Sequence, residues 1–393
     1  MLITTDAKTN TVSYSYDPNS NLLLKTNLDR ADVPGQSNET FKTQYVYDGL
    51  DRLVRGIDNA SNTVQYAYDS RNNLIVLTNG RGNRTIYQYD GLNRLTQTDR
   101  LLTSTGTGGG AVVGGITNRQ TWDDSSRRTT ESDGNSNTTQ YVYDSLDRLI
   151  RTQYADGTSD TNGYDVYGNR TQSKDANGTI VTTTYDLLDR ANTNNAIPAP
   201  GVLGTTNETY SYDGLSRIVQ AANGDFYTGN SWDSLSHPLG QLQVFGVSGI
   251  VGYVNQTMKY DGMGNRIELS HPAGTLVQTF DSLNRLKVSR FDPPGPGATN
   301  AVYQYIGPDR VARIDYGNGT RMDVGYDAVP RVSVIQHSAS GFPFYLRDFV
   351  WDQAHNLIDK FDPPAVLEAR EYTYDSLDRL VQADDFITFG TTA

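Results

Sequence analysis

Short stretches in which apolar and polar residues alternate recur from one end of the chain to the other, and each closes on a cluster of Asp, Asn or Gly. Thr63-Val-Gln-Tyr-Ala-Tyr68 is representative: its alternation and its share of β-formers predict a strand. Asp69-Ser-Arg-Asn72 then reads as a polar turn, where a carboxylate can accept backbone N–H groups. Asn73-Leu-Ile-Val-Leu-Thr78 returns as a second strand, and Asn79-Gly-Arg-Gly-Asn83 turns into the next unit. Two strands and two turns fill 21 residues without remainder. Helices of ordinary length do not fit, because Gly, Asn and Pro interrupt every candidate window.

The unit repeats. An aromatic residue followed by Asp, with Arg or Asn four places beyond the Asp, occurs sixteen times. The aromatic slot holds Tyr16, Tyr47, Tyr68, Tyr89, Trp122, Tyr143, Tyr164, Tyr185, Tyr212, Trp232, Tyr260, Phe280, Tyr305, Tyr326, Trp351 and Tyr374. Two copies depart from the pattern: Ile306 stands where Asp should follow Tyr305, and His237 takes the Arg or Asn position after Asp233. Clean copies lie 21 residues apart, as from Asp48 to Asp69 to Asp90. A fixed period predicts an array of one supersecondary unit, here an all-β array of about sixteen hairpins in a curved or spiralling ribbon.

The two turns of a unit differ. Spacing inside the Tyr-Asp turn never varies, so that turn is expected to admit no insertion. Length variation falls in the alternate turn, at Arg30–Thr40, Leu101–Asn118, Asn192–Thr206, His237–Gly252, Asp292–Asn300 and Asp362–Glu368. In a hairpin ribbon alternate turns lie on opposite edges, which predicts one tight edge and one ragged edge. A partner met through loops is expected at the ragged edge.

All three Trp occupy the aromatic slot, and exchange among Tyr, Trp and Phe points to ring packing rather than to a role for the phenolic hydroxyl. A second ring often stands two places earlier, as at Tyr14, Tyr45, Tyr66, Tyr87 and Tyr141. Such rings are expected to stack into ladders, each buried one contributing about 1.5–3 kcal/mol. The slot Arg can lie over a ring face or pair with the turn Asp. Sixteen two-strand units at about 4.8 Å per strand make a sheet roughly 150 Å wide, which twist would coil or close. Closed in one turn, it would have a diameter of about 50 Å and a lumen on the order of 30 Å, which predicts a hollow shell.

Composition refines this picture. The hydrophobic share is 36%, low for a solid core, yet the regularly placed aromatics exclude disorder; ordered but thin is the expectation. The net charge of −12 argues against nucleic-acid binding and against docking on anionic lipid. Ten Arg sit in the repeat slot, so their use is positional and makes no basic patch. With 0 Cys there are no disulfides, thiolate metal sites or Cys nucleophiles. No secretory signal is visible at Met1-Leu-Ile-Thr-Thr-Asp-Ala-Lys8, and no apolar run approaches membrane-spanning length, so membrane insertion is not expected.

Tyr47-Asp-Gly-Leu-Asp-Arg-Leu53, Tyr89-Asp-Gly-Leu-Asn-Arg-Leu95, Tyr143-Asp-Ser-Leu-Asp-Arg-Leu149 and Tyr374-Asp-Ser-Leu-Asp-Arg-Leu380 resemble the RHS/YD repeat. Tyr164-Asp-Val-Tyr-Gly-Asn169 and Tyr260-Asp-Gly-Met-Gly-Asn265 resemble its Gly-Asn variant. The likeness runs from about Val12 to Val381. It implies a β-ribbon spiralling into a cocoon, as in bacterial RHS proteins, the encapsulating components of insecticidal toxin complexes, and teneurins. In toxin members the cocoon sequesters a cytotoxic C-terminal domain; in teneurins and wall-associated relatives it is part of a surface or secreted adhesion protein. No RHS core segment with its aspartyl self-cleavage site, and no toxin domain, follows the last copy. The pairs Asp292-Pro293 and Asp362-Pro363 lie inside the array and read as insertion turns. The expectation is one continuous β-shell segment over 12–381 and a short tail over 382–393, with no separate catalytic domain.

Candidate chemistry is sparse. Most of the 45 acidic residues sit in turn slots, where structural use outweighs a glycosidase-like pair. His237, His271, His337 and His355 show no metal-ligand spacing, and His237 is expected to make a weaker version of the Arg contact. Gly106-Thr-Gly-Gly-Gly-Ala-Val-Val-Gly-Gly115 lacks the Lys and the helix of a phosphate loop and reads as a flexible insertion. Calcium-loop patterns are missing, and Asn38, Asn137, Asn177 and Asn207 match the glycosylation pattern only as an Asn- and Thr-rich chain would by chance. The expectation is therefore no catalytic, cofactor or metal site and no enzyme. The resemblance implies a shell segment, secreted or at a bacterial cell surface, whose partner is a cargo polypeptide, a toxin domain or the remainder of a shell. The alternative is a teneurin-like or wall-associated adhesion protein binding carbohydrate or a cell-surface protein.

Overall fold

The computed structural model describes residues 2–247, 250–293, 299–362 and 367–388. Parts of the Asp292–Asn300 and Asp362–Glu368 insertions, and most of Phe386–Ala393, therefore lie outside the described residues. Within them every regular element is a strand: 33 strands make one sheet, each paired with its neighbours in sequence. Pairing is antiparallel, as where Thr63–Tyr68 sets Gln65 opposite Thr78 and Tyr66 opposite Leu77 of Leu74–Thr78. Leu74–Thr78 then pairs with Arg84–Tyr89 in the same sense. The all-β array of hairpins expected from the period is what forms.

The constant spacing of the Tyr-Asp turn has a local cause. In the second copy the Asp48 N–H donates to the Arg52 carbonyl at 2.9 Å and the Asp51 N–H to the Asp48 carbonyl at 3.1 Å. Asp51 is left-handed (φ 59°), and the register slips by one residue between Val46 and Tyr47. A type I turn followed by a left-handed residue closes a hairpin with this bulge, and adding a residue would destroy both hydrogen bonds. Short turns on the other edge use the same construction: Asp58 and Asn62 close over Ser61 (φ 67°). The edges therefore share a turn and differ in tolerance of insertion. At His237–Gly252 the insertion lengthens the strands: Pro238–Val247 pairs with Ile250–Tyr260 from Gly240↔Thr257 to Val247↔Ile250.

The ladder takes in residues beyond 12–381. Leu2–Thr5 pairs with Thr11–Tyr16, and Leu380–Thr388 pairs with Leu367–Tyr374, because β-formers continue at both ends. The chain divides into two compact units, Met1–Asn118 with Thr279–Arg290 and Thr299–Ala393, and Arg119–Gln278 with Phe291–Ala298. A single layer leaves little interior. Of nine buried hydrophobic residues among those described, eight belong to the first unit, and Val33, Ile306 and Ala312 cluster there with Ala31 and Tyr326 against them.

Candidate functional site: the turn clasp and the seam

The Tyr-Asp turns with Arg in the slot share one set of contacts, seen in full from the second copy to the third. One oxygen of Asp48 accepts the backbone N–H groups of Leu50 at 2.9 Å and Arg52 at 3.1 Å, while the other accepts the Arg52 Nε at 2.8 Å. The Arg52 guanidinium reaches on to the next copy, where its Nη1 donates to the Asp69 carbonyl at 2.9 Å and its carbon lies 5.0 Å from the centre of the Tyr68 ring. Tyr68 completes the circuit, its hydroxyl donating to the Leu53 carbonyl at 2.8 Å. Arg127 over Tyr143, Arg148 over Tyr164 and Arg190 over Tyr212 repeat the arrangement at 4.6–5.2 Å. Where the slot is Asn, as at Asn73, the side chain bonds its own Asp69 at 2.9 Å and reaches Asn93 of the next turn at 2.9 Å.

Two expectations need correction. The phenolic hydroxyl is used: Tyr89, Tyr143, Tyr164, Tyr185, Tyr212, Tyr305 and Tyr326, like Tyr68, each donate to the carbonyl just after the preceding slot residue. Trp232 and Trp351 substitute because the indole N–H donates to the equivalent carbonyls of Ile218 and Val332 at 3.1 and 2.8 Å. Exchange of Tyr for Trp thus preserves a donor as well as a ring. Where the preceding slot is Arg, as for Tyr68, Tyr143, Tyr164, Tyr212, Tyr305 and Tyr326, the layers alternate ring with guanidinium instead of stacking ring on ring, since a cation over a π-face brings attraction that two like quadrupoles lack. His237 occupies the same place as expected: its Nδ1 lies 2.9 Å from Asp233 and its ring stacks on Tyr260 at 4.7 Å.

These contacts set the charge state of the turn. The Arg52 guanidinium, with the N–H groups of Arg52 and Leu50, holds the Asp48 carboxyl below its ordinary value. Arg190 and Arg217 do the same to Asp186 and Asp213. Burial pushes the hydroxyls of Tyr68 and Tyr89 up. A carboxylate with both oxygens engaged by donors is stabilised as a fixed anion, which suits a structural bolt and not a proton carrier. Among the described residues no group of three or more His, Asp or Glu is placed to hold a metal ion.

Within the first unit the turns meet a second time, far apart in sequence. The ragged insertion after the first copy pairs with the thirteenth: Ala31 bridges to Ile306, the Asp32 N–H donates to the Tyr305 carbonyl at 2.7 Å, and the Gly307 N–H donates to the Arg30 carbonyl at 2.9 Å. Arg285 pairs with Asp32 at 2.7 Å and Asp281 at 2.6 Å; Arg310 pairs with Asp29 at 2.8 Å and Glu39 at 2.7 Å. Asn59, after the second copy, donates to the Ala328 carbonyl at 3.1 Å in the fourteenth. Arg81, after the third, lies 3.4 Å from Asp352 and donates to the Tyr374 carbonyl at 3.1 Å. Finally the Thr103 N–H donates to Ser376 Oγ at 2.7 Å, and Ser376 Oγ donates to the Leu101 carbonyl at 3.1 Å. In each case a ragged-edge turn of one copy sits on a Tyr-Asp turn about twelve copies later. The ragged edge expected to face a partner is, over this stretch, occupied by the chain itself.

The departure at Ile306 now has a reason. This residue is fully buried against Val33 and Ala312, where the usual Asp would place a carboxylate in an apolar contact. Gly307, left-handed at φ 69°, follows for a similar reason, because a Cβ there would lie 2.4 Å from Asp29 Oδ2. The glycine-rich stretch expected as a flexible insertion belongs to the same contact: the Gly108 N–H donates to the Arg81 carbonyl at 3.1 Å, an approach that leaves no room for a Cβ. Arg81, Asn59 and Ser376 had no sequence signal, since each occupies an ordinary turn position. Ile306, the break in the motif, was the one available pointer.

Comparison with known proteins agrees with this geometry. Residues 47–84 and 68–112 each match the family model described as RHS Repeat. No curated protein matches the chain. Among solved structures it is similar to TcdB2-TccC3, at 13% identity and a TM-score of 0.72, with 95% of this chain and 24% of that one covered. A structure of the Photorhabdus luminescens Tc holotoxin pore gives 13% identity and a TM-score of 0.72, with 95% and 23% covered. The form of TcdB2-TccC3 without its hypervariable C-terminal region gives 13% and 0.73, with the same coverage. The chain thus spans about a quarter of the length of the solved chains it matches. Signature, turn geometry and fold coincide: residues 47–112 match the RHS repeat, and the chain shares the fold of these solved RHS-type structures.

Proposed function

We propose that the chain is a non-catalytic shell segment that walls off or carries a polypeptide partner, of which a toxin domain or the remainder of a larger shell are the forms favoured by its likeness to toxin-complex structures. The observation that carries this reading is the seam, where the thirteenth to sixteenth copies are locked onto the first four by backbone bonds, ion pairs and a small apolar cluster. A ribbon held to its own beginning is suited to forming a wall. The same reading treats 12–381 as one wall-forming array and assigns no catalytic, cofactor or metal-binding residue, because the repeated carboxylates are committed to turns. It places the protein outside the cell or at its surface, as part of a toxin-type assembly. Among the described residues no helix is long and apolar enough to cross a membrane.

The test is protection of a passenger. An unfolded, protease-sensitive reporter fused after Ala393 should be cut more slowly by trypsin than the free reporter, and at the free rate once Ile306→Asp opens the seam. Equal cutting in all three would overturn the reading. Tyr167 and Tyr253, 81% and 73% exposed, are the feature an adhesion protein would use on sugars. Binding on a glycan array, lost in Tyr167→Ala and Tyr253→Ala, would favour that alternative.

A further inference from the structure

The residue two places after the turn Asp is apolar in most copies, and its fate depends on whether the seam covers it. Leu377, within the seam, is 3% exposed, seated under the Leu101–Thr103 segment of a ragged turn, whereas Leu50 and Leu92 of the same unit, on turns outside the seam, are 68% and 67% exposed. In the second unit the equivalent residues, Leu146, Tyr167, Leu188, Leu215, Leu235 and Met263, are 64–81% exposed. They belong to six consecutive copies, so with two strands per copy they recur about every 10 Å along one edge, over about 50 Å. A regularly spaced apolar row of this length is more than scattered surface leucines and suits a docking edge that repeats with the ribbon.

The seam identifies what such an edge accepts. Its covering groups are ragged-edge turns of the same ribbon, contributing neutral donors such as the Asn59 side chain and the Thr103 N–H as well as Arg81. The second unit carries its own ragged-edge turns of the same five-residue construction, at Asp133–Asn137, Tyr154–Thr158 and Asp175–Thr179. Their tips are small or polar residues, Gly134-Asn-Ser136, Ala155-Asp-Gly157 and Ala176-Asn-Gly178, with Asn135, Asp156 and Asn177 exposed. Both edges recur with the period of the ribbon, so one matched turn brings its neighbours into register. We propose that the Tyr-Asp edge of the second unit binds the ragged edge of the second unit in another copy of this chain. The contact is head-to-tail, using different surfaces on the two partners, and can propagate beyond a dimer.

The full chain should show concentration-dependent association by sedimentation velocity. Leu146→Asp, Leu188→Asp and Leu215→Asp combined should weaken it about a thousandfold, since burying each leucine is worth at least about one factor of ten. Thermal unfolding of that variant should match the parent, because all three side chains are exposed. The chain has 0 Cys, which makes single cysteines clean reporters. A mixture of Leu188→Cys and Asn177→Cys chains should give the mixed disulfide in preference to either homodimer. A monomer at every concentration, association untouched by the triple variant, or preferred Leu188→Cys homodimers would each overturn the proposal. None of these outcomes bears on passenger protection, which reads the seam within one chain.

Discussion

The sequence Tyr-Asp-Ser-Leu-Asp-Arg-Leu occurs twice, over 143–149 in the second unit and 374–380 in the first, and the two copies fold alike in different surroundings. In both, the Asp accepts the N–H groups two and four places on and pairs with the Arg. In both the fourth residue after the aromatic is left-handed, at φ 62° and 59°. Yet Leu146 is 66% exposed and Leu377 3%, and Ser376 bonds two partners more than 270 residues away. The Arg residues reverse the contrast: Arg148, clasped over Tyr164, is 25% exposed, and Arg379 55%. Identical residues therefore fix the turn, and non-local return of the chain decides which of their side chains are interior.

That comparison breaks most sharply where the motif itself breaks. Restoring the consensus with Ile306→Asp should cost about 4 kcal/mol, because the carboxylate would replace an apolar side chain against Val33 and Ala312, and the slot Arg310 that would clasp it is already committed to Asp29 and Glu39. Denaturant midpoints measure this, and trypsin should cut first near Arg30 and Arg81 as the seam opens. Parent-like stability would mean that the seam is not a stabilising contact. Arg285→Ala comes next. It leaves Asp32 and Asp281 only the longer contacts to Lys8, at 3.3 and 3.9 Å, at a site where the Arg side chain is 7% exposed, and should cost about 3 kcal/mol. The twin leucines give the direct contrast: Leu377→Ala should cost about 2–3 kcal/mol by leaving a cavity, and Leu146→Ala less than about 0.5 in the monomer. Equal losses would erase the distinction drawn between the two edges.

What was legible follows the same division. Strands, turns, the period and the invariant spacing could be read because each is decided within about five residues, by alternation, by the Asp carboxylate and by left-handed Asp, Asn, Ser or Gly. The slot contacts were half legible. Asp and Arg announced their pairing, but Tyr, Trp and Phe were grouped by their rings, and the shared N–H or O–H donor of Tyr and Trp was passed over. The seam was not legible, since it joins Asn59 to Ala328 and Thr103 to Ser376, and no local pattern records a partner hundreds of residues away. Only the strain it puts on the motif surfaced in the sequence, as Ile306 in place of Asp.

A smaller effect separates the clasp from the seam. Tyr143→Phe keeps the ring under Arg127 and removes only the donor to the Arg128 carbonyl at 3.0 Å, so it should cost about 1 kcal/mol. Phe280 shows that the slot tolerates a ring without a donor. No loss at all would return the slot to packing alone.

The slightest expected effect is a pH dependence, and its sign is fixed by the turn carboxylates. Asp186 lies below its ordinary value in the folded chain because Arg190 and backbone N–H groups favour the anion. A depressed folded value makes its contribution complete above the unfolded carboxylate value of about 3.9 and progressively lost as pH falls through the folded one. Denaturant midpoints should therefore be level through neutral pH and fall at acid pH. Asp186→Asn keeps the shape and removes the charge. It should be less stable than the parent at pH 7, and the two curves should converge at acid pH, where the parent carboxyl is protonated too. Parallel curves would place the value of Asp186 in its shape alone, and the clasp would then owe its hold to the turn and the ring rather than to the ion pair.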